Sequence, residues 1–361
     1  MHIHLVTDEF SLGGGIEHIY QIAKGLKDIS FRIFGRTGEA VGKFRGLENV
    51  EICDKGFAPA YLTAKEPRLL HFHHLKPLAA FFRSPFKHYR IPTVFTAHGL
   101  HIHKYEFYNS LRGRLNYFLR FQLEKRLLPR VGRVITVSRE DKRFLEEKYH
   151  LKNVAYLTNG IDFSAVHIEQ GAAREELRKK LNLPLDRFLF VTVARFNFQK
   201  GYDLLLRAIA MVKEAVKARS GYFIFVGDGP EFEKMKHLGQ SLGISGDILF
   251  LGARSDVYDI LRASDVCLLP SRWEGLPIVL LETGLLKVPV IASDTYGNRE
   301  IIGEKNGILF KNLNIDALAG VIRDVLNDRY DLKGYAENLY KEVRLNYNLE
   351  KMLNGLRAIY E

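Results

Sequence analysis

The chain has 361 residues, a length typical of about two domains. Apolar residues make up 47% and charged residues 26%, which excludes wholesale disorder. The two cysteines, Cys53 and Cys267, are too few for a disulfide scaffold and fit a reducing compartment. The net charge is +11.

This charge is concentrated in the first half of the chain. Residues 1–170 hold 26 basic and 17 acidic residues, whereas residues 171–361 hold 27 and 25. The segment 76–152 alone has 17 basic and 6 acidic residues, and 12 of the 13 histidines precede residue 171. The first half is therefore predicted to meet an anionic surface or ligand.

Neither a secretory signal nor a membrane span is recognisable in the sequence. The chain begins MHIHLVTDEF, which lacks a basic region followed by an apolar stretch. No apolar run reaches the ~20 residues that cross a bilayer. We therefore expect a cytoplasmic protein that is soluble or attached to the inner face of the cell membrane.

Short apolar runs alternate with helical patterns along the first half. Strands are predicted at residues 3–7, 32–35, 69–72, 93–96, 133–137 and 154–157. Helices are predicted at 17–26 and 108–128. After Asn159-Gly160 the pattern loosens, and 162–173 is predicted to be a polar connection. This alternation predicts an α/β fold with a parallel sheet covered on both faces.

The same alternation starts again in the second half. Strands are predicted at 188–194, 222–226, 248–251, 266–269, 288–292 and 307–310. Helices are predicted at 202–216, 316–326 and 332–360. The chain is thus predicted to form two doubly wound halves joined near 160–175, with ligands at the carboxyl ends of the strands, in the cleft between the halves.

Two glycine-rich turns each follow a predicted strand and precede a helix. In the first, SLGGGIEH, Gly13, Gly14 and Gly15 allow close backbone approach before a helix N-terminus, which suits a phosphate or a sugar ring. The alternative is an ordinary tight turn. In the second, VGDGPE, Gly227 and Gly229 allow the same approach.

The loop VARFNFQKG places two cations after the buried strand FLFVT. Arg195 and Lys200 lie on this strand-to-helix loop. A planar guanidinium and a compact ammonium suit a diphosphate. The alternative is that both are solvated surface cations.

The segment PSRWEGLPIVLLETG carries the strongest motif. Pro277 suits the start of a helix, where the backbone N–H groups of Leu276, Ile278 and Val279 would point outward. Glu282 then falls in an apolar stretch, where a buried carboxylate needs partners such as ribose hydroxyls. The alternative is a capping role for Glu274 and a structural role for Glu282.

Together these motifs resemble glycosyltransferase family 4. The shared set is GG-x-E at Gly14, Gly15 and Glu17, R-x4-K-G at 195–201, GDGP at 227–230, and E-x7-E at Glu274 and Glu282. The resemblance covers nearly the whole chain. It implies retaining, metal-independent enzymes of the GT-B fold that use nucleotide sugars, with two Rossmann-like domains facing across a cleft.

The resemblance also implies a division of labour between the domains. An acceptor-binding domain would span residues 1–165 and a nucleotide-sugar-binding domain residues 166–340. The C-terminal helix, at about 340–361, would pack back on the first domain. UDP-sugars are expected ahead of GDP-mannose.

The site residues follow from the same resemblance. The implied catalytic set is His98, Arg195, Lys200 and Glu274. The implied donor-binding set is Gly14, Gly15, Gly227, Arg254, Gly275, Leu276, Pro277, Ile278, Val279 and Glu282. Arg195 and Lys200 would stabilise the departing diphosphate, and Glu282 would bind the ribose. Glu274 would bind sugar hydroxyls, His98 would face the transferred sugar, and the base would lie near 252–254.

No metal or other cofactor is expected. The histidine runs HFHH and HGLHIH invite a metal interpretation, through His71, His73, His74, His98, His101 and His103. Neither run has zinc-finger spacing or an H-E-x-x-H pattern.

The class of acceptor is predicted from the basic first half of the chain. In the segment 103–130, Leu111, Leu115, Phe118 and Leu119 fall at helical spacing among basic residues. One interpretation is an ordinary helix whose apolar face packs on the sheet. Another is docking to an anionic membrane that carries a lipid-linked or lipopolysaccharide acceptor, through the basic segment 76–152. Nucleic acid is not expected, because no binding module is recognisable.

The predicted function is transfer of a hexose from a nucleotide sugar to a hydroxyl of an envelope glycan, a lipopolysaccharide or a lipid-linked acceptor. The alternatives are a nucleotide-sugar 2-epimerase of the same fold and a non-catalytic sugar-nucleotide binding protein.

Overall fold

The computed structural model describes residues 1–11, 13–58, 67–84, 90–107, 110–164 and 173–361. The chain divides into two compact units, Met1–Gly160 with Leu349–Glu361, and Ile161–Asn348. The first unit therefore receives the last helix of the chain. Among the described residues, no helix is long and apolar enough to cross a membrane.

The first unit is built on a parallel sheet. Its strands are β1 (His2–Glu9), β2 (Ser30–Arg36), β3 (Val50–Cys53), β4 (Leu69–Phe72), β5 (Thr93–Ala97), β6 (Arg133–Thr136) and β7 (Val154–Tyr156). The strand order is β3-β2-β1-β4-β5-β6-β7, and every pair is parallel. The order reverses direction between β1 and β4, the point at which open α/β sheets bind ligands.

Helices cover this sheet, and only some of them are predicted from the sequence. They are α1 (Gly14–Gly25), α2 (Leu75–Arg83), α3 (Leu111–Leu127) and α4 (Arg139–Tyr149), with 3-10 helices at Glu39–Phe44, His101–Phe107 and Leu128–Arg130. The helix predicted at 108–128 begins at Leu111, because the Ser110 side chain accepts a hydrogen bond from Gly113 N and caps it. Residues 108–109 lie outside the described residues.

The second unit repeats the architecture. Its helices are α5 (Arg174–Lys180), α6 (Tyr202–Met211), α7 (Lys213–Ala218), α8 (Phe232–Ser241), α9 (Val257–Ala263), α10 (Ile278–Leu285), α11 (Tyr296–Ile301), α12 (Ile315–Leu326) and α13 (Leu332–Asn346). Its strands are β8 (Phe188–Val193), β9 (Gly221–Val226), β10 (Ile248–Gly252), β11 (Val266–Leu269), β12 (Val290–Ser293) and β13 (Ile308–Phe310). The order β10-β9-β8-β11-β12-β13 is again parallel and reverses between β8 and β11.

The helix predicted at 332–360 is in fact two helices. It breaks at Tyr347, where Tyr347 O accepts a hydrogen bond from Ile161 N, and α14 (Leu349–Tyr360) follows. Apolar residues recur at helical spacing on both sides of Tyr347, so the sequence pattern alone does not reveal the break. The prediction of one helix at 202–216 is wrong for a similar reason, since Val212 separates α6 from α7.

Helix α14 is anchored in the first unit. Leu356 and Tyr360 are buried in the same cluster as Ile19 of α1. The Tyr360 hydroxyl lies 2.7 Å from His71 Nδ1. At the surface, Arg357 donates two hydrogen bonds, of 2.6 and 2.7 Å, to the Asp28 carboxylate. Apolar burial thus carries most of this attachment, because exposed ion pairs contribute little.

Strand β3 was missed by the sequence analysis. Its four residues, VEIC, include a charged side chain and lie at the edge of the sheet, where burial is partial. An edge strand therefore lacks the continuous apolar run that marks the central strands. The polar connection predicted at 162–173 lies largely outside the described residues.

Helix α3 presents an apolar face to solvent. Leu111 is 85% exposed, and Leu115, Phe118 and Leu119 are each 55–56% exposed. The interpretation that these residues pack on the sheet is therefore wrong. The helix packs instead through the opposite side, where Glu124 is buried and accepts a 2.8 Å hydrogen bond from the Tyr149 hydroxyl.

His103 has a structural explanation that removes it from the metal candidates. Its Nδ1 lies 2.8 Å from Glu106 Oε1, and its Nε2 lies 3.5 Å from Asp141 Oδ1. Burial alone would lower the pKa of His103, but hydrogen bonds to Asp141 and Glu106 outweigh it and raise the pKa to about 9. The charged imidazole therefore ties the 3-10 helix His101–Phe107 to α4.

We expect the stabilising effect of His103 to depend on pH. Because the pKa is raised on folding, the contribution is complete below the unfolded value of about 6.5 and is lost as the pH rises through about 9. His103→Gln should therefore lower the free energy of unfolding by on the order of 1–3 kcal/mol at pH 6, and by less at pH 9.5. Urea unfolding at both pH values measures this. His237→Gln, which removes an exposed histidine, is the control, and equal losses at both pH values would contradict the assignment.

Candidate active site

The candidate site of the second unit lies where its strand order reverses. The chain leaves β8 toward β9 and leaves β11 toward β12, so the two following loops separate at the carboxyl edge of the sheet. Such a reversal opens a crevice that main-chain and side-chain groups of both loops can line. The loop after β8 carries Arg195 and Lys200, and the loop after β11 carries Glu274.

Lys200 and Glu274 are brought together across this reversal. Lys200 Nζ lies 2.6 Å from Glu274 Oε1, with side-chain exposures of 19% and 6%. The Ser271 hydroxyl donates to the same oxygen at 2.6 Å. A carboxylate this buried needs such partners, and their presence fixes the ammonium at the edge of the sheet. Arg195 is exposed on the same loop as Lys200.

Arg272 holds the loop after β8 and the loop after β11 together, a role that the sequence motifs did not predict. The buried guanidinium donates to Phe198 O at 2.6 Å and makes two hydrogen bonds, of 2.9 and 2.7 Å, to the Asp203 carboxylate. It also lies 4.0 Å over the Phe198 ring. The signal in the sequence was an arginine three residues after a buried strand, in PSRWEG. The bonds of Arg272 set the position from which Lys200 reaches Glu274.

Backbone-to-backbone contact between loops requires glycine at several of the motif positions, and the contact is closest at Gly201 and Gly227. Gly201 has φ +67°, and a Cβ there would lie 2.1 Å from Pro270 O. Gly227 has φ +134°, and a Cβ there would lie 2.1 Å from Ala194 O. The loops after β8, β9 and β11 therefore pack with no room for a side chain. Gly227 has this packing role in the structure, whatever it contributes to a ligand.

The helix after the Glu274 loop carries the second carboxylate of the motif. Pro277 is the N-cap of α10, so the helix begins at Ile278. Gly275 and Leu276 are buried, and Val279 is half-buried in the first turn. The first N–H groups of a helix have no partner within it and can bind an anion.

Glu282 is half-buried on α10 and meets a neighbouring helix. The Tyr258 hydroxyl of α9 donates to Glu282 Oε1 at 3.3 Å, an interaction that sequence reasoning missed. Arg254, predicted near the base, lies after β10, where its guanidinium donates to both oxygens of Asp256 at 2.8 and 2.5 Å. The geometry of this surface ion pair gives no support of its own to the prediction that Arg254 lies near the base.

In the first unit, the structure brings together Gly15 and His98. Gly14 and Gly15 open α1 directly after β1, and His98 follows β5. A Cβ on Gly15 would lie 3.7 Å from His98 Cδ2. His98 Nε2 is 3.0 Å from Nδ1 of His73, which follows β4. These groups gather because the carboxyl ends of adjacent parallel strands share one edge of the sheet.

A further histidine, His18, completes this group. His18 is 4% exposed and His73 3% exposed. The ring centroids of His18 and His73 lie 4.8 and 5.2 Å from that of His98. Burial lowers the pKa of His18 to about 4, against weak opposition from Asn159, and lowers that of His73 well below the usual range. Both rings are therefore neutral at physiological pH.

Comparison with known proteins identifies the family. The family model described as Glycosyl transferases group 1 matches residues 173–344, and the model described as Glycosyltransferase Family 4 matches residues 51–165. A putative teichuronic acid biosynthesis glycosyltransferase of Bacillus subtilis is 30% identical over 82% of this chain and 70% of that relative. The chain belongs to glycosyltransferase family 4. The resemblance drawn from the four motifs is thereby confirmed, and the protein is a glycosyltransferase.

A second relative matches a shorter part of the chain. It is the UDP-Gal:alpha-D-GlcNAc-diphosphoundecaprenol alpha-1,3-galactosyltransferase of Escherichia coli, 28% identical over 63% of this chain and 59% of its own length. The chain thus spans less than two thirds of that relative.

Solved structures confirm the fold. Anabaena HepE in complex with UDP and glucose aligns with a TM-score of 0.79 at 21% identity, over 99% of each chain. WaaG, described as a glycosyltransferase involved in lipopolysaccharide biosynthesis, aligns with a TM-score of 0.78 at 18% identity, over 98% of this chain and 99% of its own. The GT-B fold predicted for this family 4 member is therefore confirmed.

The loop packing makes a prediction for two glycines with nearly equal φ. Gly243 has φ +66° but nothing within 4 Å of a Cβ, whereas a Cβ on Gly201 meets Pro270 O. Gly243→Ala should lose about 1–2 kcal/mol of unfolding free energy, the cost of left-handed backbone. Gly201→Ala should lose at least about 2 kcal/mol more, because the loops must separate. Urea unfolding of both variants measures the difference, and equal losses would show that the loops do not constrain each other.

Proposed function

We propose that the protein is a retaining glycosyltransferase that moves a hexose from a UDP-sugar to a hydroxyl of an envelope glycan, a lipopolysaccharide or a lipid-linked acceptor. The observation that carries this proposal is the Lys200–Glu274 pair, held at the strand reversal of the second unit with Arg195 on the same loop. The UDP preference draws support from the Escherichia coli relative, whose name specifies a UDP-sugar donor, and from the UDP complex of HepE.

GDP-mannose is the competing donor. A mannosyltransferase of Mycobacterium tuberculosis, named as GDP-mannose-dependent and acting on phosphatidylinositol monomannoside, is 30% identical over 49% of this chain and 48% of its own length. The names of these relatives also support an acceptor on a lipid or an envelope polymer.

In the proposed mechanism, two cations of the loop after β8 stabilise the leaving diphosphate. Glu274 would hold the Lys200 ammonium in place before the donor arrives, and the Ser271 hydroxyl would orient the Glu274 carboxylate. Arg195 would close on the phosphates from its exposed position. Charge placed in advance where charge develops lowers the barrier, so these residues would supply what a metal supplies elsewhere. We therefore propose that turnover needs no metal and survives a chelator.

The other motif residues would orient the donor. Glu282, with Tyr258 beside it, would bind the ribose hydroxyls. The backbone from Gly275 to Val279, at the start of α10, would bind a phosphate oxygen and the sugar. Glu274 would accept a hydrogen bond from a sugar hydroxyl, and Gly14, Gly15 and Gly227 would let the backbone approach the donor.

The chemical step would proceed on one face of the sugar. The bond from the anomeric carbon to the phosphate oxygen breaks, and the acceptor oxygen attacks from the same side. The acceptor proton passes to the leaving phosphate. Retention of configuration is proposed from the family resemblance, and His98 would face the transferred sugar.

The donor assignment is tested by ligand-induced stabilisation followed by turnover. UDP should raise the melting temperature of the full chain more than GDP does, since a ligand of the native state stabilises by mass action. Glu282→Ala should reduce this shift. With the sugar donor so identified, Lys200→Ala and Arg195→Ala should each lower kcat about 10²–10³-fold. NMR of the product should show the anomeric configuration of the donor.

The matched control for these variants is Lys213→Ala, which removes an exposed lysine of α7 in the same unit. Its turnover should equal that of the unaltered protein, and circular dichroism should show all variants folded. Near-normal kcat in Lys200→Ala would overturn the phosphate role. A larger shift with GDP would replace the UDP assignment by GDP-mannose. Release of UDP in equal amounts with and without acceptors would contradict transfer.

We propose in addition that α3 docks on an anionic membrane that carries the acceptor. Leu111, Leu115, Phe118 and Leu119 are exposed at positions that share one side of a helix. Two exposed arginines of the first turn, Arg112 and Arg114, project on either side of this stripe. The surrounding segment 76–152 contains 17 basic and 6 acidic residues. An apolar stripe flanked by cations suits the surface of a membrane with acidic lipids.

The double variant Leu115→Ser/Phe118→Ser should bind vesicles at least about tenfold more weakly, because burial of two apolar side chains is lost. Sedimentation with phosphatidylcholine vesicles, with and without phosphatidylglycerol, measures this at about 0.1 and 0.5 M salt. Binding should need the anionic lipid and fall at the higher salt. Leu345→Ser, on the exposed face of α13, is the matched control. Negligible binding of the unaltered protein in every condition would refute the proposal.

A further inference from the structure

Three histidines from separate segments converge in the first unit. His18 lies on α1, His73 follows β4 and His98 follows β5. One ring nitrogen of each lies within 4.8 Å of the corresponding nitrogens of the other two. The linear runs HFHH and HGLHIH do not reveal this group, because His18 belongs to neither run.

Three buried nitrogens of this group have no hydrogen-bond partner in the described part of the chain. Both ring nitrogens of His18 and Nε2 of His73 are buried and have no donor or acceptor at hydrogen-bonding geometry among the described residues. Leaving such atoms unpaired costs roughly 1–3 kcal/mol each. The neighbouring His71 differs, since its nitrogens lie 2.7 Å from the Tyr360 hydroxyl and 2.7 Å from Thr96 Oγ1. His71 is therefore a structural residue, whereas His18, which interacts with Asn159, and His73, whose Nδ1 contacts His98, keep buried nitrogens with no partner at hydrogen-bonding geometry in the described ranges.

We propose that His18, His73 and His98 bind a divalent transition-metal ion of the zinc class. Imidazole nitrogen is a preferred ligand of Zn²⁺ and of Co²⁺, and three histidines with an open fourth position form a common zinc geometry. Zinc–nitrogen bonds of about 2.0–2.1 Å place ligand atoms about 3.3 Å apart. His73 Nδ1 and His98 Nε2 are already 3.0 Å apart, and the three ligand atoms lie within 4.8 Å of one another, so rotation of the rings would bring them to this spacing.

The position of His98 indicates how an ion would enter the cluster and what its binding would do to the enzyme. His98 is half-buried while the other two are buried, so the cluster is open on the side of His98. This step rests on the proposed function: if His98 faces the transferred sugar, a bound ion holds its ring away from that task. The ion would then be an inhibitor of an enzyme whose turnover needs no metal.

Titration of the metal-free full chain with Co²⁺ tests the site without donor or acceptor. Visible absorption should rise to one equivalent, with the intensity of a four- or five-coordinate ion. His18→Asn and His98→Asn should each weaken binding by at least about tenfold, because a ligand is lost. His237→Gln, which removes an exposed histidine of the second unit, should bind Co²⁺ as the unaltered protein does.

Absence of saturable binding in the folded, unaltered protein would overturn the site, and so would Co²⁺ binding by the two ligand variants that is as tight as in the unaltered protein. Because His98 is half-buried, His98→Asn keeps the test valid if His18→Asn does not fold. In the activity arm, Zn²⁺ should inhibit turnover and a chelator should restore it. The inhibitory concentration should rise at least about tenfold in His18→Asn. Binding without inhibition would overturn the inhibitory role alone, and failure of the UDP assignment would leave the Co²⁺ result readable.

Discussion

The candidate site of the second unit depends on the reversal of strand order between β8 and β11. When strands are added on both sides of the two central strands of a parallel sheet, the loops that follow those two strands must run in opposite directions. The residues at the start of both loops then line one crevice. Lys200 and Glu274 occupy those two loops and meet at 2.6 Å. The pairing of these distant residues follows from topology, because without the reversal the loops would leave the sheet on the same side.

This placement is maintained by buried polar contacts rather than by the ion pair itself. Arg272 donates to the main chain of one loop and to Asp203 on the helix that follows it. Gln199 donates to Trp273 O at 2.8 Å, and Arg272 N donates to Gln199 O at 2.7 Å. These bonds satisfy main-chain groups that would otherwise be buried unpaired. The two loops are therefore held to each other, so the Lys200 ammonium and the Glu274 carboxylate have little freedom to separate.

The first unit uses the same topology for a different chemistry. Its strand order reverses between β1 and β4, and the carboxyl ends of β4 and β5 supply His73 and His98. The buried imidazoles of His18 and His73, whose pKa values are lowered by burial, lie there with His98, in contrast to the ion pairs of the second unit. The strong positive charge of this half lies elsewhere, on segments such as α3, whose apolar and basic side chains are exposed. Net charge and local site chemistry are therefore separate properties of this protein.

The sequence by itself determined the α/β class, the two halves, most central strands and the family, because buried parallel strands are continuous apolar runs and the motifs occur at fixed chain positions. Local patterns could not determine contacts between distant segments. The clamp of Arg272, the pairing of Lys200 with Glu274, the break at Tyr347 and the meeting of His18 with His73 and His98 all arise when separate loops reach one sheet edge. The exposure of α3 was likewise decided by tertiary structure, since helical spacing defines an apolar face but not the direction in which that face points.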